Sequence, residues 1–584
     1  MSRRTLLALL AVSAVLATPT AVGATPYRHT TQPTAQGTGG AAATVDGVAT
    51  TAARDVLQRG GNAVDAAVAA AAVLGVTEPF SCGIGGGGFM VIRTPDGEVT
   101  TIDSREKAPA SMRPDSFFEN GKALLFDDAR YSGLSGGVPG TVAGWQRALR
   151  GYGTWSLGRT LQPAIDVARK GFVVDQTFTS QVEPNLPWFD DITSTAALYV
   201  EPDGTAPDPG DVFRNPDLAR AYERIAFLGP KGFYSGAIAD ALVDAVQDPP
   251  LTANANHTWR PGLMTLRDLR DYTAPERDPT HVQYRGLDVF GMGPPSSGGS
   301  TDGEALNILE HEPISTMDRI DQLHWFLEAS RFAFADRNAY LADPAFFDVP
   351  LRGLLSDSFA AERHALIDPD HAATSPVAPG NPYDDQPPAA GASGFFDPRQ
   401  STTHLTVADD EGTVVSYTFT IESTGGNGIV VPGWGFLVNN ELTDFNYDSL
   451  THPNRADGGK RPRSSIAPTI VLHDGEPFLA TGSPGGSMII TTVLQVLMER
   501  IDAGKTLPQA IAEPRASQRN TVATAAEPAF RAAYETGLAA MGHSFTTSAE
   551  IGAVTGIEFL PDGGFLAAAE PVRRGGGSAQ VVSP

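Results

Sequence analysis

Gln400-Ser401-Thr402-Thr403-His404-Leu405-Thr406-Val407 marks the sharpest change of character in the chain. Before it, Asp368 to Gln400 is rich in Pro, Gly, Ala and Asp and reads as a long exposed loop. After it, Thr402 to Val407 and Val414 to Ile421 alternate as strands, with Asp409-Asp410-Glu411-Gly412 as the turn. A second hairpin follows around Ile470 to Ala480, turning at His473-Asp474-Gly475, and Ser483-Pro484-Gly485-Gly486-Ser487 then leads into a helix from Met488 to Ile501. Upstream, helical patterns dominate Thr141 to Phe346, including Asp321 to Leu341. Phe89 onward and Val99 to Ile102 flank the turn residues Thr94-Pro95-Asp96-Gly97. Val45 to Val76 reads as two helices, with Asp46 as a cap, a break at Arg59 to Asn62 and a very Ala-rich second half. Strands and helices mixed without regular βαβ alternation predict a layered α+β fold.

The chain has 584 residues, 41% hydrophobic and 19% charged, which is ordinary globular composition. Its formal charge of −25 leaves no basic stripe for phosphates, so nucleic acid is an unsuitable partner and small molecules are expected. Arg3 and Arg4, the apolar run Leu6 to Ala17 and small residues ending near Ala24 read as an export signal over residues 1–24. Residues 25–40 read as a flexible lead-in, with the folded body starting at Ala41. Twelve apolar residues are too few to span a bilayer, and no later stretch approaches the roughly 20 required, so no transmembrane segment is expected after signal removal. Cys82 is the single cysteine, which rules out an intrachain disulfide and reads as an inert buried thiol. No His, Asp or Glu cluster has ligand spacing, so neither metal nor cofactor is expected.

A threonine at the first residue of a strand, just after an exposed loop, is what a self-cleaving amidase requires. A threonine hydroxyl is a poor nucleophile without an adjacent base. Its own α-amine can serve if a cut between Ser401 and Thr402 frees it, because α-amines titrate at about 7.7 to 8.0.

The surrounding motifs carry the reading further. Thr402-Thr403-His404, Asn439-Asn440-Glu441 with Asp444-Phe445, Lys460-Arg461-Pro462-Arg463-Ser464-Ser465 and Thr481-Gly482-Ser483-Pro484-Gly485-Gly486-Ser487 stand in order along the chain. Upstream are Gly60-Gly61-Asn62-Ala63-Val64-Asp65, Gly85 to Met90, Asp103-Ser104-Arg105-Glu106, Pro139 to Gly144, Pro294 to Gly299 and Ala335-Asp336-Arg337. From about Ala41 to near Ala569 the sequence resembles the gamma-glutamyltranspeptidases. The resemblance implies the four-layer αββα sandwich of the N-terminal-nucleophile hydrolases. It also implies self-cleavage into a large subunit, 41–401, and a small catalytic subunit, 402–584.

The same resemblance implies the roles of the site residues. Thr402 is the nucleophile, and Thr420 hydrogen-bonds toward it. Gly485 and Gly486, lying before an apolar helix where backbone N–H groups converge without a Cβ in the way, form the oxyanion hole. Arg105, Ser464 and Ser465 clamp the α-carboxylate of a gamma-glutamyl group; Arg105 taken alone reads as a surface ion pair with Asp103 or Glu106. Glu422, Glu441 and Asp444 are the candidates for its α-ammonium. Glu422 departs from the asparagine common among relatives, and strand alternation puts it on the same face as Ser416, Thr418 and Thr420. His404 reads as a packed, locally bonded residue and Gly85 to Gly88 as a tight backbone passage, since it lacks the Lys-Ser/Thr of a phosphate loop. The implied donors are small gamma-glutamyl compounds such as glutathione, and the acceptors are water, amino acids or peptides. Two alternatives stand beside this: a related glutaryl or cephalosporin acylase, whose substrate lacks the α-ammonium, and an exported binding protein that has lost catalysis.

Overall fold

The computed structural model describes residues 25–383 and 401–583. The expected export signal and residues 384–400 of the expected loop lie outside them. Two seven-stranded sheets, antiparallel throughout, stack face to face. In spatial order the first runs Ser578–Val581, Ala41–Thr44, Thr403–Ala408, Val414–Thr420, Gly87–Arg93, Val99–Asp103, Glu276–Arg277. The second runs Thr34–Gly37, Phe565–Ala569, Thr555–Phe559, Glu476–Gly482, Thr469–His473, Leu287–Gly291, Thr280–Tyr284.

Period-two alternation divides the first sheet's side chains between two environments. Leu405, Val407, Val415, Tyr417 and Phe419 join a core with helices Gly47–Gln58, Ala63–Thr77 and Gln162–Lys170. Their neighbours point the other way, into a polar seam between the sheets. There Ser416 Oγ donates to Thr481 O at 3.0 Å and accepts from Thr469 N at 3.1 Å. The second sheet packs its outer face on helices Gly298–Leu309, Arg319–Tyr340 and Met488–Ile501. The result is the expected helix–sheet–sheet–helix sandwich.

Helix Ala63–Thr77 is buried along its whole length, which its alanines permit because small side chains let neighbouring backbones approach on every side. Asn62 and Asp65 close a capping box at its start, and Asp46 caps the helix before it. The Gly85–Gly88 passage is tight in the literal sense: a Cβ on Gly86 would stand 1.9 Å from Thr420 O, and one on Gly85 2.0 Å from Leu437 O.

Two expectations need correction. The flexible lead-in is partly ordered, because Thr34–Gly37 pairs with Phe565–Ala569 and completes the second sheet's edge. The Pro- and Gly-rich loop is not exposed throughout: in its first half Ala373 N donates to Glu328 at 3.0 Å, Gly380 N to Asp336 at 2.6 Å, and Tyr340 Oη to Gly380 O at 2.7 Å. Composition reported the lack of periodicity correctly, but long-range pairing with the body overrode it.

The N-terminal segment is further secured by an ion pair between His29 and the helix-capping Asp46. Burial opposes the imidazolium charge, but the Asp46 carboxylate outweighs it and raises the His29 pKa to about 9. A folded pKa above the unfolded 6.5 means that the stabilisation is complete below pH 6.5 and lost as pH rises through about 9. At about 1.4 kcal/mol per unit this is on the order of 3 kcal/mol. The melting temperature should therefore fall more steeply between pH 7 and 10 in the unaltered protein than in His29→Gln; parallel curves in thermal denaturation would refute the linkage.

Candidate active site

The Ser401–Thr402 peptide bond lies at the entry to strand Thr403–Ala408 and is gripped from both sides. On the carbonyl side, Ser401 O accepts from Thr402 Oγ1 at 2.8 Å and from Thr420 Oγ1 at 2.7 Å, and the two hydroxyl oxygens are 3.4 Å apart. Thr420 is oriented by its neighbour, since Glu422 N donates to Thr420 Oγ1 at 2.8 Å and so turns the Thr420 proton toward Ser401 O. Glu422 adopts φ 78°, a left-handed conformation that non-glycine residues rarely take. Ser401 N donates to Glu422 O at 2.8 Å, closing the loop of contacts.

Beyond the bond, Arg574 donates to Thr402 O at 2.6 Å, to Ser81 Oγ at 2.7 Å and to Glu78 at 3.0 Å. Ser81 Oγ lies 2.8 Å from Ser401 Oγ. Burial pushes the Glu78 carboxyl up to about 6, against the pull of Arg574. Arg574, Ser81 and Glu78 did not stand out in the sequence. The one hint was the Arg573-Arg574 pair ahead of three glycines, and only the pairing of Ser578–Val581 with Ala41–Thr44 returns that segment to the Thr402 strand.

Next to the junction is a cavity of about 20 Å³ lined by Arg105, Thr402, Thr420, Glu422, Glu441, Asp444, Ser464, Ser465 and Gly486, together with Ile466 and Ile489. Nearly every residue singled out in the sequence converges there. Ser401 and Gly485 do not line it; Gly485 stands one residue behind, and the φ values of 128° and 57° at Gly485 and Gly486 explain why glycine is needed at both. Glu422 reaches the wall, though by a different route from the expected alternation: the strand ends at Thr420 and the left-handed turn carries Glu422 back. Its carboxylate accepts from Ser423 Oγ and Asn440 Nδ2.

Arg105 is no surface ion pair. It is 1% exposed, with Nη1 donating to Glu441 and Nη2 to Asp444, while Nε donates to Pro462 O at 3.1 Å. Asp103 accepts the Arg105 backbone N–H and pairs its side chain with Arg277 and Arg461 instead. Glu106 lies behind, 4.0 Å from Arg105 and fully buried. Burial pushes the Glu106 carboxyl up to about 7 and raises Glu441 well above the usual range, in both cases against the pull of Arg105. The serine pair is held by the turn that precedes helix Gly298–Leu309: Ser464 N donates to Pro295 O at 2.9 Å, and Ser297 N and Oγ both donate to Ser464 O, at 2.8 and 2.6 Å.

His404 is buried, with its ring nitrogens 2.6 Å from Thr418 Oγ1 and 3.1 Å from Thr406 Oγ1. Burial lowers its pKa to about 3, which leaves it a packed residue and not a base. Cys82 is buried, and burial raises its thiol pKa well above the usual range. Among the described residues no His, Cys, Asp and Glu group could hold a metal, and no helix is long and apolar enough to cross a membrane.

Two stacked antiparallel sheets between helical layers, with a threonine hydroxyl at the head of a central strand, define the fold of an N-terminal-nucleophile hydrolase. The sequence model of the gamma-glutamyltranspeptidases matches residues 49–580, and the chain belongs to the gamma-glutamyltranspeptidase family. It is 39% identical over 553 residues to the glutathione hydrolase proenzyme of Bacillus subtilis, covering 92% of this chain and 91% of that one. It is also 35% identical to the acylase ACY 1 proenzyme of Pseudomonas sp. strain SE83, covering 94% of this chain and 96% of that one. In three dimensions it resembles the crystal structure of cephalosporin acylase from Bacillus halodurans, with TM-score 0.82, 28% identity and 98% and 100% of the two chains covered.

Proposed function

We propose that the chain is an exported gamma-glutamyltranspeptidase and glutathione hydrolase that matures by cutting itself between Ser401 and Thr402. The observation that carries this reading is the Ser401 carbonyl held between the Thr402 and Thr420 hydroxyls beside the Arg105 cavity. Thr402 Oγ1 attacks that carbonyl, Thr420 stabilises the oxyanion, and the peptide bond gives way to an ester that water hydrolyses. Residues 41–401 become the large subunit and 402–584 the small one, while residues 1–24 direct export.

The freed α-amine of Thr402 then supplies the base that the uncut chain lacks. In turnover Thr402 Oγ1 attacks the gamma-amide, Gly485 and Gly486 hold the oxyanion, and the leaving amine takes the proton that the Thr402 amine relays. The gamma-glutamyl ester left on Thr402 passes to water or to an amino acid or peptide amine. Arg105, Ser464 and Ser465 hold the α-carboxylate, and Glu422, Glu441 and Asp444 hold the α-ammonium. Three carboxylates around one small cavity favour an ammonium-bearing substrate, and this sets the reading against the glutaryl acylase that the second relative's name suggests.

Comparing gamma-glutamyl with glutaryl anilide tests it, because the two differ only in that amine. Gamma-glutamyl anilide should be the better substrate. A charge-assisted hydrogen bond contributes on the order of 1.5 to 3 kcal/mol, so Glu422→Gln, once shown to be cleaved normally, should lower kcat/KM for gamma-glutamyl anilide by roughly ten- to a hundredfold. Glutaryl turnover should fall much less. Equal loss on both substrates, or none, would remove Glu422 from the ammonium site.

A further inference from the structure

The serine pair at the cavity wall rests on a cation that has no carboxylate beside it. Arg337, in helix Arg319–Tyr340, is buried, and donates Nη2 to Ser465 Oγ at 2.5 Å, Nε to Ser297 Oγ at 2.9 Å and Nη1 to Asn338 Oδ1 at 2.9 Å. Arg463 lies alongside, spending Nη1 on the backbone carbonyls of Arg337, Asn338 and Leu341 at 3.3 to 3.5 Å. Among the described residues neither guanidinium has a carboxylate within 4.0 Å, whereas Arg105 has Glu441, Asp444 and Glu106. A buried guanidinium without a counter-ion is costly, and here two stand together. The cost shows in both: burial, with Arg463 adding repulsion and Asp444 opposing it only in part, draws the Arg337 pKa well below the ordinary value, and burial lowers Arg463 to about 10 against the pull of Asp444.

The hydrogen-bond inventory shows what this arrangement can hold. A hydroxyl has one proton to donate and two lone pairs. Ser465 Oγ accepts from Arg337, and Ser464 Oγ accepts from Ile466 N at 3.2 Å. Each therefore has its proton available for an acceptor in the cavity that both residues line. Arg105 is different, since its charge is already met by two carboxylates, and an arriving anion would share it with them. Of the two guanidiniums without a carboxylate in contact, Arg337 is the one that bonds a serine of the pair, and its charge, met only from beyond contact distance by Asp444, lies behind the serines.

We propose that Arg337 is the positioning residue of the α-carboxylate subsite, acting through the Ser465 hydroxyl to supply the counter-charge that Arg105 has already committed to Glu441 and Asp444. It does so without touching the substrate. The inference rests on the gamma-glutamyl reading above, and names a residue on which the subsite's affinity for an anion depends.

The test uses the mature enzyme and two ligands that differ in the α-carboxylate alone, glutamate and 4-aminobutanoate, as competitive inhibitors of gamma-glutamyl anilide turnover. In Arg337→Gln, which keeps a donor for Ser465 but removes the charge, glutamate inhibition and KM for the anilide should both weaken roughly ten- to a hundredfold, as expected for a lost charge-assisted interaction. Inhibition by 4-aminobutanoate should change less than about threefold. Arg337→Lys keeps the charge and should recover most of the glutamate affinity. Equal weakening toward both ligands, or Arg337→Lys as impaired as Arg337→Gln, would reduce Arg337 to a structural residue and overturn the proposal. If Arg337→Gln does not accumulate, Ser465→Ala carries the test: it must show the same carboxylate-selective loss, and its absence overturns the proposal equally. Failure of the unaltered enzyme to turn over gamma-glutamyl anilide would overturn the functional reading, and this inference with it, before any variant is compared.

Discussion

Replacing Thr402 with alanine should leave a single uncut chain with no measurable turnover of gamma-glutamyl anilide. Both losses have one cause. The Thr402 hydroxyl lies 2.8 Å from the Ser401 carbonyl oxygen, and after the cut it is the hydroxyl at this site that also carries a free α-amine. Thr420 cannot replace it, because it lies within an unbroken chain and so has no free α-amine to act as its base. The fold should survive, since Thr402 precedes the paired strand that begins at Thr403. A denaturing gel reads the first effect and a chromogenic assay the second. Two normal bands from Thr402→Ala, with contaminating proteases excluded, would end the assignment of the nucleophile.

Replacing Arg105 with lysine should separate substrate binding from maturation. Arg105 makes at least four side-chain contacts through three nitrogens, to Glu441, Asp444, Pro462 O and Arg463 O. Lysine keeps the charge but loses the planar fork. Losing two charge-assisted hydrogen bonds at about 1.5 kcal/mol each gives a rise in KM on the order of a hundredfold. Self-cleavage should proceed, because Arg105 bonds to none of Ser401, Thr402 and Thr420. Unchanged KM in the processed variant would remove Arg105 from the site, and failure to process would show that the pocket and the junction are not separable.

Much of this was legible in the sequence, and the exceptions share a cause. Both hairpins beyond the junction were readable because alternation and turn chemistry agree: Asp474 and Gly475 take the positive φ values of 53° and 83° that a two-residue turn requires. The capped start at Asp46 and the break before Ala63 were local signals of the same kind. The lead-in and the loop before the junction resist a local reading because Thr34–Gly37 finds its partner more than five hundred residues away, and Gly380, in a loop, bonds to Asp336 on a helix. No local pattern reports such pairings.

The candidate site divides in the same way. Residues inside ordered motifs, Arg105, Glu441, Asp444, Ser464 and Ser465, could be named from the sequence, and the fold brings them to one cavity. Arg574 could not, because it lies past Ala569, near which the resemblance ends, and its role depends on the last strand returning to the first sheet. Arg337 stands in a recognised motif, yet nothing in Ala335-Asp336-Arg337 says which of its charges has no opposite charge in contact. Burial and a census of ion pairs were needed for that.

On the proposed function, this chain makes its own nucleophile by cutting before Thr402. N-terminal sequencing of the smaller fragment of the purified, active protein tests it most directly. Two fragments are expected, the smaller beginning Thr402-Thr403-His404, with gamma-glutamyl turnover appearing in step with the cut. A fully active protein that remains one chain, or whose smaller fragment begins at any other residue, would contradict it.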